Sequence, residues 1–182
     1  MTDRPAARHM IPIAVVGVLL MAAFSTGVVV MATRGRSGRL TSNCAVPALR
    51  GRVVDVALDD RGASMMGGAT PMMVSLTATP DQVRGPTVSL LVANYGHLVH
   101  EVVMLPLPSD GAGTRPVGSN NKADETGSLG EASKSCGLGI GDGIAPGSPG
   151  WVTLNLKPGR YELICNEPGH YQAGMFDILT VT

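Results

Sequence analysis

Residues 161–176 read Tyr161-Glu-Leu-Ile-Cys165-Asn-Glu-Pro-Gly-His170-Tyr-Gln-Ala-Gly-Met175-Phe176. A thiol, an imidazole and a thioether fall within one short loop. On either side lie runs rich in apolar and β-branched residues, 160–165 and 176–181, which read as strands. A loop that gathers three sulfur and nitrogen donors between two strands sets the expectation for the whole chain: a β-domain built to hold a soft or borderline metal.

Working outward, further runs of the same kind appear at 53–58, 72–78, 87–93, 100–105 and 151–156, separated by Gly, Pro, Asn and Asp. Seven short strands without a convincing amphipathic helix predict a two-sheet sandwich in which each sheet buries one face. Aromatic residues are only 3% of the chain, so Val, Leu, Ile and Met have to supply the core. Lys157-Pro158-Gly159-Arg160 reads as a tight hairpin turn. Residues 106–150 are dense in Gly, Ser, Asn and Pro and predict a long excursion, with a short helix near 123–134.

One ligand is missing from the 165–175 loop. The stretch Asn94-Tyr-Gly-His-Leu-Val-His100-Glu101 can supply it, with a turn delivering His100 to the start of a strand. Two imidazoles, a thiolate and a long axial thioether form the donor set of a type 1 copper site. His97 is the rival for the first ligand, and a solvated loop histidine otherwise. Structural zinc asks for four strong Cys or His ligands, which Met175 does not provide. Each residue also has a plainer reading: a lone Cys on a strand is usually a small buried hydrophobe, and a Met opening a strand is usually core. The joint spacing favours copper.

With these motifs the chain resembles the cupredoxin family, the single-domain blue copper proteins of the rusticyanin and sulfocyanin kind. The Cys-x4-His-x4-Met spacing, the Pro-Gly before His170 and Asn94-x-Gly96-x-x-x-His100 carry the resemblance, about twenty-five residues within 51–182. It implies an all-β Greek-key sandwich holding one type 1 copper ion. His100 and His170 would be equatorial nitrogen ligands, Cys165 the equatorial thiolate and Met175 the weak axial ligand. Glu101 follows the first histidine, a position that varies in the family, and places a carboxyl near the site.

Catalysis by further copper is not expected. The sequence holds four histidines, His9, His97, His100 and His170, and the neighbours of Cys165 are Ile164 and Asn166 rather than a histidine leading to a second copper. A binuclear centre would need another Cys between Cys165 and Met175. The expected function is therefore a single-electron carrier that alternates between Cu(II) and Cu(I), its potential tuned by Met175 and the shell around the Cys165 sulfur. A copper-delivery protein for an extracytoplasmic oxidase is the alternative, and a sandwich used only for protein contacts a third.

Residues 11–33 carry no charged side chain and are long enough to cross a hydrocarbon core of about 30 Å as a helix. Signal-peptide cores are shorter, so an uncleaved anchor is expected after a short tail at 1–10. Residues 34–50 then read as a linker that leaves the copper domain, 51–182, free to sample partners on the same membrane. Arg34, Arg36 and Arg39 outnumber Arg4 and Arg8, so the loop-charge rule leans against an exported domain. The chemistry still places it on the extracytoplasmic side of the cell membrane.

From residue 51 onward there are eight Lys and Arg against thirteen Asp and Glu, a net −5. That balance argues against nucleic acid as a partner and suits a basic protein surface, such as a cytochrome or a membrane oxidase complex. Cys44 and Cys136 are spare, and pair in an oxidising compartment or stay as thiols. Met65, Met66, Met72 and Met73 could capture cuprous copper but read more simply as core, since Met72 and Met73 fall in an expected strand.

Overall fold

The computed structural model describes residues 40–60 and 73–182, all within one compact unit, Ser37–Thr182. The expected membrane anchor at 11–33 lies outside the described residues, as do Met65, Met66 and Met72. Among the described residues no helix is long and apolar enough to cross a membrane.

Among the described residues nine strands form two sheets. β1 (Arg52–Asp59), β2 (Ser75–Thr79), β4 (Thr87–Asn94) and β7 (Pro149–Asn155) make a four-stranded sheet in the order β2-β1-β4-β7. β3 (Gln82–Val83), β5 (Val102–Pro106), β6 (Gly130–Ala132), β8 (Gly159–Ile164) and β9 (Phe176–Val181) make the other, in the order β3-β9-β8-β5-β6. β1 runs parallel to β4, with Leu58 opposite Asn94.

The alternation expected of half-buried strands is present. Val54, Val56 and Leu58 of β1 and Val88, Leu90 and Val92 of β4 face inward. They meet Met104, Leu163 and Leu179 of the opposing sheet in one aliphatic core. Each such side chain, fully removed from water, contributes about 1.5–3 kcal/mol. β5 is buried on both faces, because Val103 and Leu105 pack outward with Ile164 and Tyr171 against Ala123 of the long excursion. The first part of the excursion, around residues 113–123, thus covers the outer face of the second sheet.

Four local expectations change. The excursion holds no helix among its described residues. Where one was expected, the Asp124 carboxylate turns the chain by accepting from the Thr126 N–H and hydroxyl, and β6 then pairs with β5. The Lys157–Arg160 turn joins strands of different sheets, so it is a corner of the sandwich rather than a hairpin. His100 precedes β5 as an isolated bridge to Ile144 instead of opening the strand. Met73 lies before β2 and is 63% exposed, so it is not core, because it is Val74 that turns toward the interior.

The chain upstream of β1 is held against the domain. Thr41 and Ser42 donate N–H bonds to the Gly147 carbonyl, the Ser89 hydroxyl donates to the Arg50 carbonyl, and Cys44 is disulfide-bonded to Cys136 with Cα atoms 5.4 Å apart.

Candidate metal centre

β8 runs directly into Cys165, and β9 begins at Phe176, directly after Met175. The Cys165 N–H donates to the Met175 carbonyl at 3.0 Å, and the Met175 N–H donates to the His170 carbonyl at 3.0 Å. The three donor-bearing residues of the loop are thus fixed to one another through the backbone. The turn between Pro168 and His170 is possible because Gly169 adopts a positive φ of 84°, a region costly for residues with a Cβ. The Gly169 N–H is tied to the Asn121 carbonyl in the excursion.

His100 comes from the crossing between the sheets, in the connection from β4 of the first to β5 of the second. Asn94 ends β4 and folds the turn around its side chain: its amide donates to the carbonyls of Leu98 and Ile144, and its carbonyl accepts from the Gly96 N–H. His100 then exchanges two backbone hydrogen bonds with Ile144. This is the physical content of the Asn94-x-Gly96-x-x-x-His100 motif. His97, the rival ligand, has a side chain 75% exposed and bonds Asp60, outside the cluster.

His100, Cys165 and His170 are all buried, with ligand atoms within 4.8 Å of one another. His100 Nδ1 stands 3.2 Å from His170 Nδ1. Cys165 Sγ lies 3.6 Å from the first nitrogen and 3.4 Å from the second. Metal bonds of about 2.0–2.3 Å in a trigonal array would separate such donors by about 3.5–3.8 Å, so the triangle needs to open only slightly to hold an ion. Met175 is fully buried in the same core cluster as Cys165. The donor set suits one type 1 copper ion.

The electrostatics fit a site completed by a cation. Burial pushes the Cys165 thiol up to about 12, although the backbone N–H groups of Glu101 and Glu167 donate to its sulfur. Burial also lowers both imidazoles, against the Asp60 hydrogen bond for His100 and the Glu167 charge for His170. The pocket therefore offers neutral imidazoles and a thiol that gives up its proton to a metal. Glu101 is only 8% exposed. Burial raises its carboxyl to about 7, with Lys122 opposing and Glu167, Glu131 and Glu125 adding to the rise.

Two parts of the surroundings escape the sequence reading. Asp60 lies just past β1 and accepts from His100 Nε2 at 3.0 Å. Burial works against its charge, but N–H donors from His97 and Leu98 and the rings of His100 and His97 together hold its pKa below the usual range. Glu162 on β8 is fully buried. It accepts from Arg115 Nε at 2.7 Å, the Gly113 N–H at 2.7 Å and the Tyr171 hydroxyl at 3.1 Å, linking the excursion to the residue beside His170.

No family model matches the chain. A curated relative, a 3-oxo-tetronate kinase of Cupriavidus necator, is 33% identical over 110 residues, 58% of this chain, which spans 24% of the kinase's length. Similar solved structures include reduced auracyanin from Roseiflexus castenholzii, 18% identical with a TM-score of 0.45, covering 74% of this chain and 98% of that one. Auracyanin B is 24% identical with a TM-score of 0.45, covering 77% and 95%. Rusticyanin from Thiobacillus ferrooxidans is 20% identical with a TM-score of 0.40, covering 73% and 79%. On its own geometry the chain is a two-sheet β-sandwich whose buried His100–Cys165–His170 cluster, with Met175 in the same buried core, offers the donor set of one type 1 copper ion.

Proposed function

We propose that this protein is a membrane-anchored carrier of single electrons, with His100, Cys165 and His170 as equatorial ligands of one copper ion and Met175 as its axial ligand. The observation that carries the reading is the convergence of two imidazole nitrogens and one thiol, all buried, within 4.8 Å. Bound copper supplies the one-electron change between cupric and cuprous forms. The residues supply a frame of strand ends and backbone hydrogen bonds that changes little between the two, and they exclude water: His100 and Cys165 are fully buried. The same burial favours a carrier over a copper-delivery protein, whose ligands would have to reach a partner's.

The Cys44–Cys136 disulfide supports an oxidising, extracytoplasmic setting, and the uncharged stretch at 11–33 supports a single-pass anchor. A respiratory or other membrane redox chain, with a cytochrome or an oxidase complex as partner, is the setting that these features and the acidic domain suit.

The test is the visible and paramagnetic-resonance spectrum of the purified full chain after adding Cu(II), beside Cys165→Ser. An intense thiolate-to-copper charge-transfer band that vanishes in the variant is expected. Folded wild-type protein without that band would end the carrier reading.

A further inference from the structure

Asp60 is 4% exposed, and a carboxylate so placed is costly to desolvate unless it is well paired. Its oxygens accept from the N–H of His97 at 2.7 and 2.9 Å and from the N–H of Leu98 at 2.6 Å. They also lie 3.2 Å from His97 Nδ1 and 3.0 Å from His100 Nε2. The turn is shaped to admit it, since a Cβ at Gly96 would stand 2.5 Å from Asp60 Oδ2. The backbone donors anchor the carboxylate, and of its two imidazole contacts the buried one goes to the outer nitrogen of a candidate ligand.

An imidazole that donates its Nε2 proton to a carboxylate keeps its Nδ1 lone pair free. In His100 that Nδ1 is the atom facing Cys165 Sγ and His170 Nδ1. We propose that Asp60 is a positioning residue of the metal centre: it locks His100 in the tautomer that presents Nδ1, and its negative charge, one imidazole away, favours the cupric over the cuprous ion. The role rests on the copper reading above. The charge acts in one direction, because a fixed anion stabilises the more highly charged ion, and so it holds the reduction potential down.

Two readouts on the full chain test it. In copper-free protein, nitrogen NMR of the histidine rings is expected to show a protonated Nε2 on His100. That pattern persists in Asp60→Asn, whose amide oxygen still accepts, and is lost in Asp60→Ala. In copper-loaded protein, Asp60→Asn raises the potential by the equivalent of about a tenfold change in cupric over cuprous preference, about 59 mV for one electron. A locked tautomer in wild-type protein that never turns blue would sink the copper reading and the effect on potential with it, while leaving the hold on the ring. A blue wild type with the same potential in Asp60→Asn, or the same tautomer in a folded Asp60→Ala, would overturn the role of Asp60 alone. Should Asp60→Ala fail to fold, the potential of Asp60→Asn still decides.

Discussion

Glu101 gives the sharpest handle on the energetics of the site. Its carboxyl is raised from 4.5 to about 7, chiefly by burial. Between those two values the folded state keeps a proton that the unfolded state has released. Stability therefore falls as pH rises through this window and the loss is complete above about 7. At about 1.36 kcal/mol per pH unit, the ionised side chain costs the copper-free fold on the order of 3 kcal/mol at pH 8. Glu101→Gln removes the titration while keeping the shape, and its backbone N–H still reaches Cys165 Sγ, 3.4 Å away in the parent. Urea unfolding of copper-free protein at pH 5 and pH 8 is the assay. The variant should exceed the parent by less than about 1 kcal/mol at pH 5, just above the unfolded value, and by about 3 kcal/mol at pH 8. The two histidines of the site, which burial shifts downward, are common to both proteins and cancel in the difference. Parallel stability curves across the window would refute a buried, proton-holding Glu101.

Arg115→Ala should cost about 3–5 kcal/mol in urea unfolding, because it leaves the fully buried Glu162 carboxylate without its cation, and Arg115→Lys should recover only part of that, lacking the Nε donor. Replacing Cys44 and Cys136 together by Ser should lower stability by about 2–5 kcal/mol, read in the same assay, since the bond closes a loop with a sequence separation of 92. Copper affinity should rise about tenfold per pH unit between about pH 7 and 9, because the imidazoles are already neutral there while the Cys165 thiol, pushed up to about 12, must release its proton to the metal. Competition titrations would show it, and a flat profile would mean that the thiol is not a ligand.

How much of this was legible in the sequence depended on how local the determining contacts are. Cys165, His170 and Met175 share a loop of fixed length between two antiparallel strands, so their spacing alone brings them near one another. His100 was legible because Asn94 and Gly96 build its turn from within a few residues. The corner at 157–160 was half legible: turn chemistry announces a reversal, but the choice of sheet is made by β4 and β9, which pair with β7 and β8 respectively. β6 was invisible because nothing in Gly130–Ala132 favours a strand until β5 offers it a ladder.

Asp60 shows why the remainder stayed hidden. It reaches His100 only because β1 and β4 lie parallel with Leu58 opposite Asn94, which carries the end of β1 alongside the turn that β4 enters. No periodicity or spacing between residues 60 and 100 encodes that register. Glu162 is the same case: a charged residue in a strand reads as solvent-facing, and it is buried only because the excursion returns Arg115 and Gly113 to it. The division has a functional consequence. Ligand identity, which selects the metal, is written in short spacings. The groups that set the protonation and charge around those ligands come from distant strands and loops, so two chains with the same ligand motif can differ widely in potential, and for this one Asp60 and Glu101 are where that difference has to be measured.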